Sequence, residues 1–306
     1  MGNCFGCCYK KKLEVNYSII LKLPHGKTCY QINEQNNLWS YHEDINIQIK
    51  KVFDEKYNQW IVYNDEIPDL PQIYSSFPSN YIYSGNAHAK GILAWNTKSI
   101  KWLIHSVPKF PKEFDGTNQF PDIDHGELEY GQSFVCLTLT ISHLDSILKQ
   151  LFIMHPNVYL SNINNINNIK LDSYKNLWKT NNYNIYKIND ELHHIAKSPY
   201  YHQDLYEDIV IPEFKGNCLT ETWIRGHHCS ESEQCKMVPK IKWQNGISYS
   251  FTRDHSKYCV SDCGWVMIGD MNRMTSQFKR GGGGLVIQNE NIVKLFNGII
   301  CVETNN

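Results

Sequence analysis

Two short triplets carry the residues best suited to chemistry: His88-Ala89-Lys90 and His255-Ser256-Lys257. In an extended chain, residues i and i+2 point to the same face, so each H-x-K directs an imidazole and an ammonium into one pocket. Two such pockets facing each other would surround one tetrahedral phosphate with two histidines and two lysines. Phosphodiester cleavage needs that inventory: a nucleophile, an acid for the departing oxygen, and fixed positive charge for the remaining oxygens. Histidine suits the first two roles because its unperturbed pKa, about 6.5, lies close to working pH.

The elements that must position these residues are legible around them. The triplets are followed by "GILAWNTKSIKWLI" and "YCVSDCGWVMIGDM", each apolar and β-branched enough for two strands and a turn. A polar residue, His105 or Asn272, stands fifteen positions after each lysine, so lysine and polar residue are expected at neighbouring strand ends. "YSIILKLP" (17–24) and "QWIVYNDEIP" (59–68) also read as strands. In "SHLDSILKQLFIMHP", Leu144, Ile147, Leu148, Leu151 and Phe152 recur at helical spacing, with Ser142 as cap and Pro156 as stop. "NENIVKLFNGII" predicts a last packed helix through Ile292, Leu295, Phe296 and Ile299. An Asn-rich connection over 157–185 divides two halves, 18–156 and 186–306, behind a leader over 1–17.

Bulk properties bound the rest. The 306 residues are 42% hydrophobic and 20% charged, enough for a large core. The net charge of -1 shows no global basic excess, so phosphate must be held by a local basic site. No run of about 18 apolar residues suggests a membrane-spanning helix. The N-terminus "MGNCFGCCYKKK" lacks the apolar core of a secretory signal. Gly2, three early cysteines and Lys10 to Lys12 are instead the elements of an acylated, polybasic membrane anchor, although Gly6 stands where such a site prefers Ser or Thr. Of the 11 cysteines, an odd number, Cys229, Cys235, Cys259 and Cys263 are spaced poorly for a zinc knuckle. No metal and no cofactor is expected.

The second copy, through Asp262, Gly269 and Asn272, reads H-x-K-x4-D-x6-G-x2-N, with Asp270 where the phospholipase D superfamily signature has Ser. In the first copy Trp95 and His105 stand at the Asp and Asn positions. Further landmarks run along the chain: "KLP" (22–24), "YND" (63–65), "HSVPKFP" (105–111), "YGQ" (130–132), "DLY" (204–206), "DHSKYCVS" (254–261), "GDMNR" (269–273) and "RGGG" (280–283). With these, the chain resembles the deoxyribonuclease II family over roughly residues 18 to 300. The resemblance implies an α/β (α+β) fold of phospholipase D type. It would be a pseudo-dimer of two mixed-sheet halves flanked by helices, with the active site at the pseudo-twofold interface.

By the same resemblance the protein is a metal-independent endonuclease that cuts DNA best in acid, leaving 3'-phosphate and 5'-hydroxyl ends. His88 matches the nucleophile and His255 the acid, with Lys90 and Lys257 on the phosphate oxygens. Asn272 completes the hydrogen-bond ring, and His105 either joins it or packs the "HSVP" turn; Asp270 and Arg273 support the ring, and Arg273 and Arg280 either face neighbouring phosphates or solvate the surface. Asp254 either orients His255 or is an ordinary loop carboxylate. His193, His194, His227 and His228 match no landmark and read as surface or structural residues.

Family disulfides would join Cys136 to Cys7 or Cys8 and Cys235 to Cys301. Cys259 lacks its partner because Val286 stands there, unless Cys263 substitutes. The family implies a lysosomal or secreted location, which the missing signal does not support. The rival readings are a phosphodiesterase of the same fold acting on a lipid or another phosphodiester, and a catalytically silent DNA-binding homologue. Assaying liposomes beside DNA separates the first; salt-sensitive binding without cleavage would mark the second.

Overall fold

The computed structural model describes residues 15–34, 36–68, 87–163, 174, 176–224 and 232–302. Where both faces of an extended segment are apolar, the strand must be covered on both sides, and this pattern governs the architecture. In β6 (Ser99–His105) every residue is buried.

The first sheet comprises β1 (Asn16–Lys22), β2 (Cys29–Asn33), β3 (Asn36–His42), β4 (Gln59–Tyr63), β5 (Gly91–Trp95), β6, β7 (Gln132–Thr140) and β8 (Val158–Asn162). Their order is β3-β2-β1-β7-β6-β5-β4-β8. The second contains β9 (Tyr183–Lys187), β10 (Leu192–Lys197), β11 (Cys218–Glu221), β12 (Cys235–Met237), β15 (Tyr258–Ser261), β16 (Trp265–Gly269) and β17 (Gly282–Gln288). Their order is β12-β11-β15-β16-β17-β10-β9. A small third sheet joins β13 (Lys240–Lys242), β14 (Ser248–Ser250) and β18 (Ile300–Cys301). The fold is α+β. The first sheet is antiparallel throughout, and the second is mixed because β11 and β12 run parallel.

The sheets face each other across a shared apolar layer. Ile19, Trp102, Val135 and Leu137 enter it from one sheet and Val260, Val266, Ile268 and Leu285 from the other. Between them lie α2 (Leu144–Met154), through Ile147 and Leu148, and α4 (Glu290–Asn297), through Ile292 and Phe296. The outer face of the first sheet is closed by α1 (Ile45–Val52) and a cluster of Phe53, Phe110, Phe114 and Phe120. The second is closed by a π-helical turn, Tyr206–Val210, that runs into α3 (Ile211–Phe214).

The expected strands 17–24 and 59–68 are β1 and β4, and both expected helices form. The start of α2 differs: Ser142 lies in a 3-10 turn with its hydroxyl 2.6 Å from Thr140, and no side chain caps the helix. The helix stops at His155, in the left-handed region, just before Pro156. The connection over 157–185 contains β8 and the start of β9, because Val158, Tyr159 and Leu160 bury against the first sheet. The N-terminal anchor motif, His227, His228, Cys229 and most of the Asn-rich run lie outside the described residues. No helix among the described residues is long and apolar enough to cross a membrane.

Candidate active site

The two H-x-K triplets immediately precede β5 and β15, where the chain is still extended. Each is tied to the opposite half by its backbone. His88 N–H donates to the Gly281 carbonyl and His255 N–H to the Gly131 carbonyl, both at 2.8 Å. The contacts are reciprocal: isolated bridges pair Ala87 with Gly281 and Gly131 with Asp254, and Gly131 and Gly281 directly precede β7 and β17. The motifs therefore meet where the two sheets touch.

Asp65, just after β4, organises the first triplet. Its carboxylate pairs with Lys90, lies 3.6 Å from His88 Nε2, and takes Arg280 at 3.2 Å. Burial alone would raise its pKa, but the Lys90 ammonium, His88 and Arg280 hold it well below the usual carboxylate range. His88 Nδ1 contacts the Asp270 carbonyl. A carbonyl only accepts, so Nδ1 carries the proton and Nε2 keeps its lone pair. Burial, reinforced by Lys90, pushes the His88 pKa well below its ordinary value. This is a neutral imidazole with one nitrogen available for attack.

Around His255 the surroundings are aromatic and acidic. Tyr130 stacks on its ring at 4.1 Å and Trp223 lies at 4.2 Å. Its Nδ1 lies 3.4 Å from the Gln132 amide and 3.7 Å from Glu127. Gln132 is fixed in turn by the Ser106 hydroxyl, which donates to its Oε1 at 2.6 Å.

The charged groups form one buried set. Burial and the Lys90 ammonium push Lys257 down to about 7. Burial pushes Asp270 up to about 7, and burial with Glu66 does the same to Glu127. As pH falls through 7, Lys257 gains charge while Asp270 and Glu127 lose theirs, so acid makes the site more positive and better suited to a phosphate. Among the described residues no group of three His, Cys, Asp or Glu is arranged to hold a metal.

The remaining expected residues separate. The equal fifteen-residue spacing is not structural equivalence. His105 N–H bonds the Lys90 carbonyl, and the matching bond to the Lys257 carbonyl comes from Gly269, because the second hairpin is shorter. The His105 ring packs between Phe110 and Phe134 in the outer core. Asn272 lies two residues beyond the carbonyl that holds His88, its Oδ1 buried without a partner among the described residues. Asp270 supports the site through that carbonyl and by accepting from Gly283 N–H at 2.9 Å.

Arg273 faces no phosphate site. It is fully buried and bound to Asp204, Glu207 and the Cys235 carbonyl, so its role is to brace the 270–273 loop. Arg280 reaches Asp65 and the Ala87 carbonyl instead. Asp254 accepts from Ser256 N–H and is a loop carboxylate. Asp262 lies at the far end of β15, capping Asn217. His194 is buried against Gln150 and Trp102 as a structural residue, and His193 packs on Phe214. Asp65 and Glu127 went unrecognised in the sequence. Asp65 had one signal, its place in the "YND" landmark.

The chain matches the family model described as Deoxyribonuclease II over residues 6–304. The chain belongs to the deoxyribonuclease II family. It is 30% identical to deoxyribonuclease-2-beta of Rattus norvegicus over 261 residues, covering 79% of this chain and 70% of that protein. It is 28% identical to plancitoxin-1 of Acanthaster planci over 330 residues, covering 95% and 89%. With cell-death-related nuclease 7 of Caenorhabditis elegans it shares 27% over 333 residues, covering 96% and 86%. As a deoxyribonuclease II homologue the chain is a hydrolytic nuclease.

The expected family disulfides are not formed among the described cysteines: Cys29, Cys136, Cys218, Cys235, Cys259, Cys263 and Cys301 are free. Cys235 points toward Cys218, its Sγ 3.5 Å away, whereas Cys301 belongs to the small sheet opposite Lys240. Cys263 sits exposed in a turn, away from the buried Cys259. Cys7 and Cys8 lie outside the described residues.

Proposed function

We propose that this protein is a metal-independent acid endodeoxyribonuclease that hydrolyses DNA to 3'-phosphate and 5'-hydroxyl ends. The observation that carries the reading is the reciprocal pair of backbone bonds, His88 to Gly281 and His255 to Gly131, which draws both H-x-K triplets to one seam. The same reciprocity, with the repeated strand orders β4-β5-β6-β7 and β11-β15-β16-β17, supports two halves, 18–156 and 186–306, related by an approximate twofold axis.

In this mechanism Lys90, Lys257 and Asn272 hold the non-bridging oxygens. His88 Nε2 attacks phosphorus as the 5'-oxygen leaves with a proton from protonated His255, giving a phosphohistidine. A water then surrenders a proton to His255 and displaces His88, releasing the 3'-phosphate. The proton on His88 Nδ1, directed to the Asp270 carbonyl, keeps Nε2 nucleophilic throughout. By family resemblance the enzyme works in a lysosomal or secreted compartment, where acid favours the charge state described above.

Plasmid nicking tests the reading directly. Cleavage is expected to persist in EDTA, to peak in acid, and to fall at least about 100-fold in His88→Ala and His255→Ala. Cleavage abolished by chelation but intact in both variants would refute it.

A further inference from the structure

A strip of aromatic rings stands outside the catalytic set on the same edge of the second sheet. Trp178 stacks on His155 at 4.0 Å; Tyr200 follows at 5.8 Å, and His202 stacks on Tyr200 at 6.2 Å. Neither Trp178 nor Tyr200 belongs to the apolar core clusters among the described residues, and Tyr200 is 48% exposed. His155 is held in place as the left-handed cap of α2, and His202 also adopts positive φ, at 57° and 56° respectively. Lys179 lies 5.3 Å over the Trp178 ring.

The strip is connected to the catalytic seam. Lys197, at the end of β10, donates to the Phe278 and Arg280 carbonyls, and the Arg280 side chain reaches Asp65 and the Ala87 carbonyl beside His88. Ser198 donates to the Trp178 carbonyl and accepts from Tyr200 N–H, fixing both rings to the same strand end. Across the sheet, Lys257, Gly269, Gly284, Ile195 and Ile185 form one row. At about 4.8 Å per strand, β10 and β9 lie ~14 to ~19 Å from Lys257. Lys279 is exposed beside Phe278, whose carbonyl Lys197 binds at the end of β10, and supplies a cation near that strand end.

We propose that Trp178 and Tyr200 form a base-stacking subsite that holds unpaired nucleobases of the DNA strand being cut, several strands away from the scissile phosphate. Stacking on aromatic rings accepts any base, because every base presents a π-face. In a duplex those faces are already occupied by neighbouring bases, so the subsite favours single-stranded or frayed DNA. The proposal rests on the nuclease reading above.

The test compares cleavage of one oligonucleotide as a single strand and as a duplex. Trp178→Ala and Tyr200→Ala are each expected to raise KM on the single strand roughly 5- to 100-fold and to change the duplex value far less. Tyr200→Phe, which keeps the ring, is expected to restore the single-strand KM. Tyr41→Ala, an exposed tyrosine on β3, serves as control and is expected to alter neither. Unchanged single-strand KM in both alanine variants, or equal losses on the two substrates, would overturn the subsite while leaving the nuclease reading intact. Failure of the unsubstituted protein to cut either substrate would overturn both.

Discussion

A single carboxylate, Asp65, is shared by His88, Lys90 and Arg280, and its removal leaves three cationic or polarised groups facing one another in a buried site. Asp65 also raises the Lys257 pKa, which stands at about 7. Asp65→Asn is therefore expected to lower kcat/KM about 10- to 100-fold and to move the alkaline limb of its pH profile to lower pH, since Lys257 then loses its proton earlier. An unmoved limb would refute that coupling. His105 is a second residue-scale case. Burial pushes its pKa down to about 3, below its unfolded value of about 6.5. The unfolded chain alone then takes up a proton as pH falls from 6.5 toward 3, so His105 costs stability across that window. His105→Phe, packed by Phe110 and Phe134, is expected to be more stable than the parent at pH 4.5 by a margin that shrinks near pH 7, measured by thermal unfolding at each pH. The H-x-K pairs were legible because spacing alone puts both side chains on one face. Asp65 was not, because a lone carboxylate has no period and its partners come from distant strands.

The helices work as spacers between two sheets, so their stability is that of the layer they fill. Phe296 of α4 is fully buried and meets Trp39 from the first sheet and Tyr258 from the second. Phe296→Ala is expected to cost about 3–5 kcal/mol, read as a fall in denaturation midpoint with little change in slope; a loss below about 1 kcal/mol would show that α4 is peripheral. Both helices were readable because apolar residues at helical spacing must face a core. The cap of α2 was not: Ser142 found a nearer partner in Thr140, and local competition of this kind leaves no periodic trace. The hairpins were likewise recognisable, but their lengths were not, which is why His105 and Asn272 matched in number and not in position.

Across the whole molecule, the proposed site is assembled where two sheets meet at one seam. Gly281 sits there with no room for a side chain: a Cβ would lie 1.9 Å from the Met154 carbonyl, while its own carbonyl accepts from His88 N–H. Gly281→Ala is expected to reduce cleavage by at least about tenfold through displacement of His88, with circular dichroism unchanged. Full activity would mean that the seam tolerates movement. The parent enzyme is expected to lose kcat/KM as pH rises through about 7, where Lys257 discharges and Asp270 and Glu127 ionise; a profile flat from pH 5 to 8 would contradict this electrostatic account. Sequence alone determined the family, the strands that follow the motifs, β1, β4, α2 and α4, and the four histidines and lysines of the motifs, because these follow from residue type and short-range spacing. Only the tertiary structure decided that Asp65 and Glu127 join them, that Arg273 turns inward to Asp204 and Glu207, and that His105 packs on phenylalanines. Those outcomes depend on which strands become neighbours and how deeply they bury charge, and neither is encoded within any one stretch of chain.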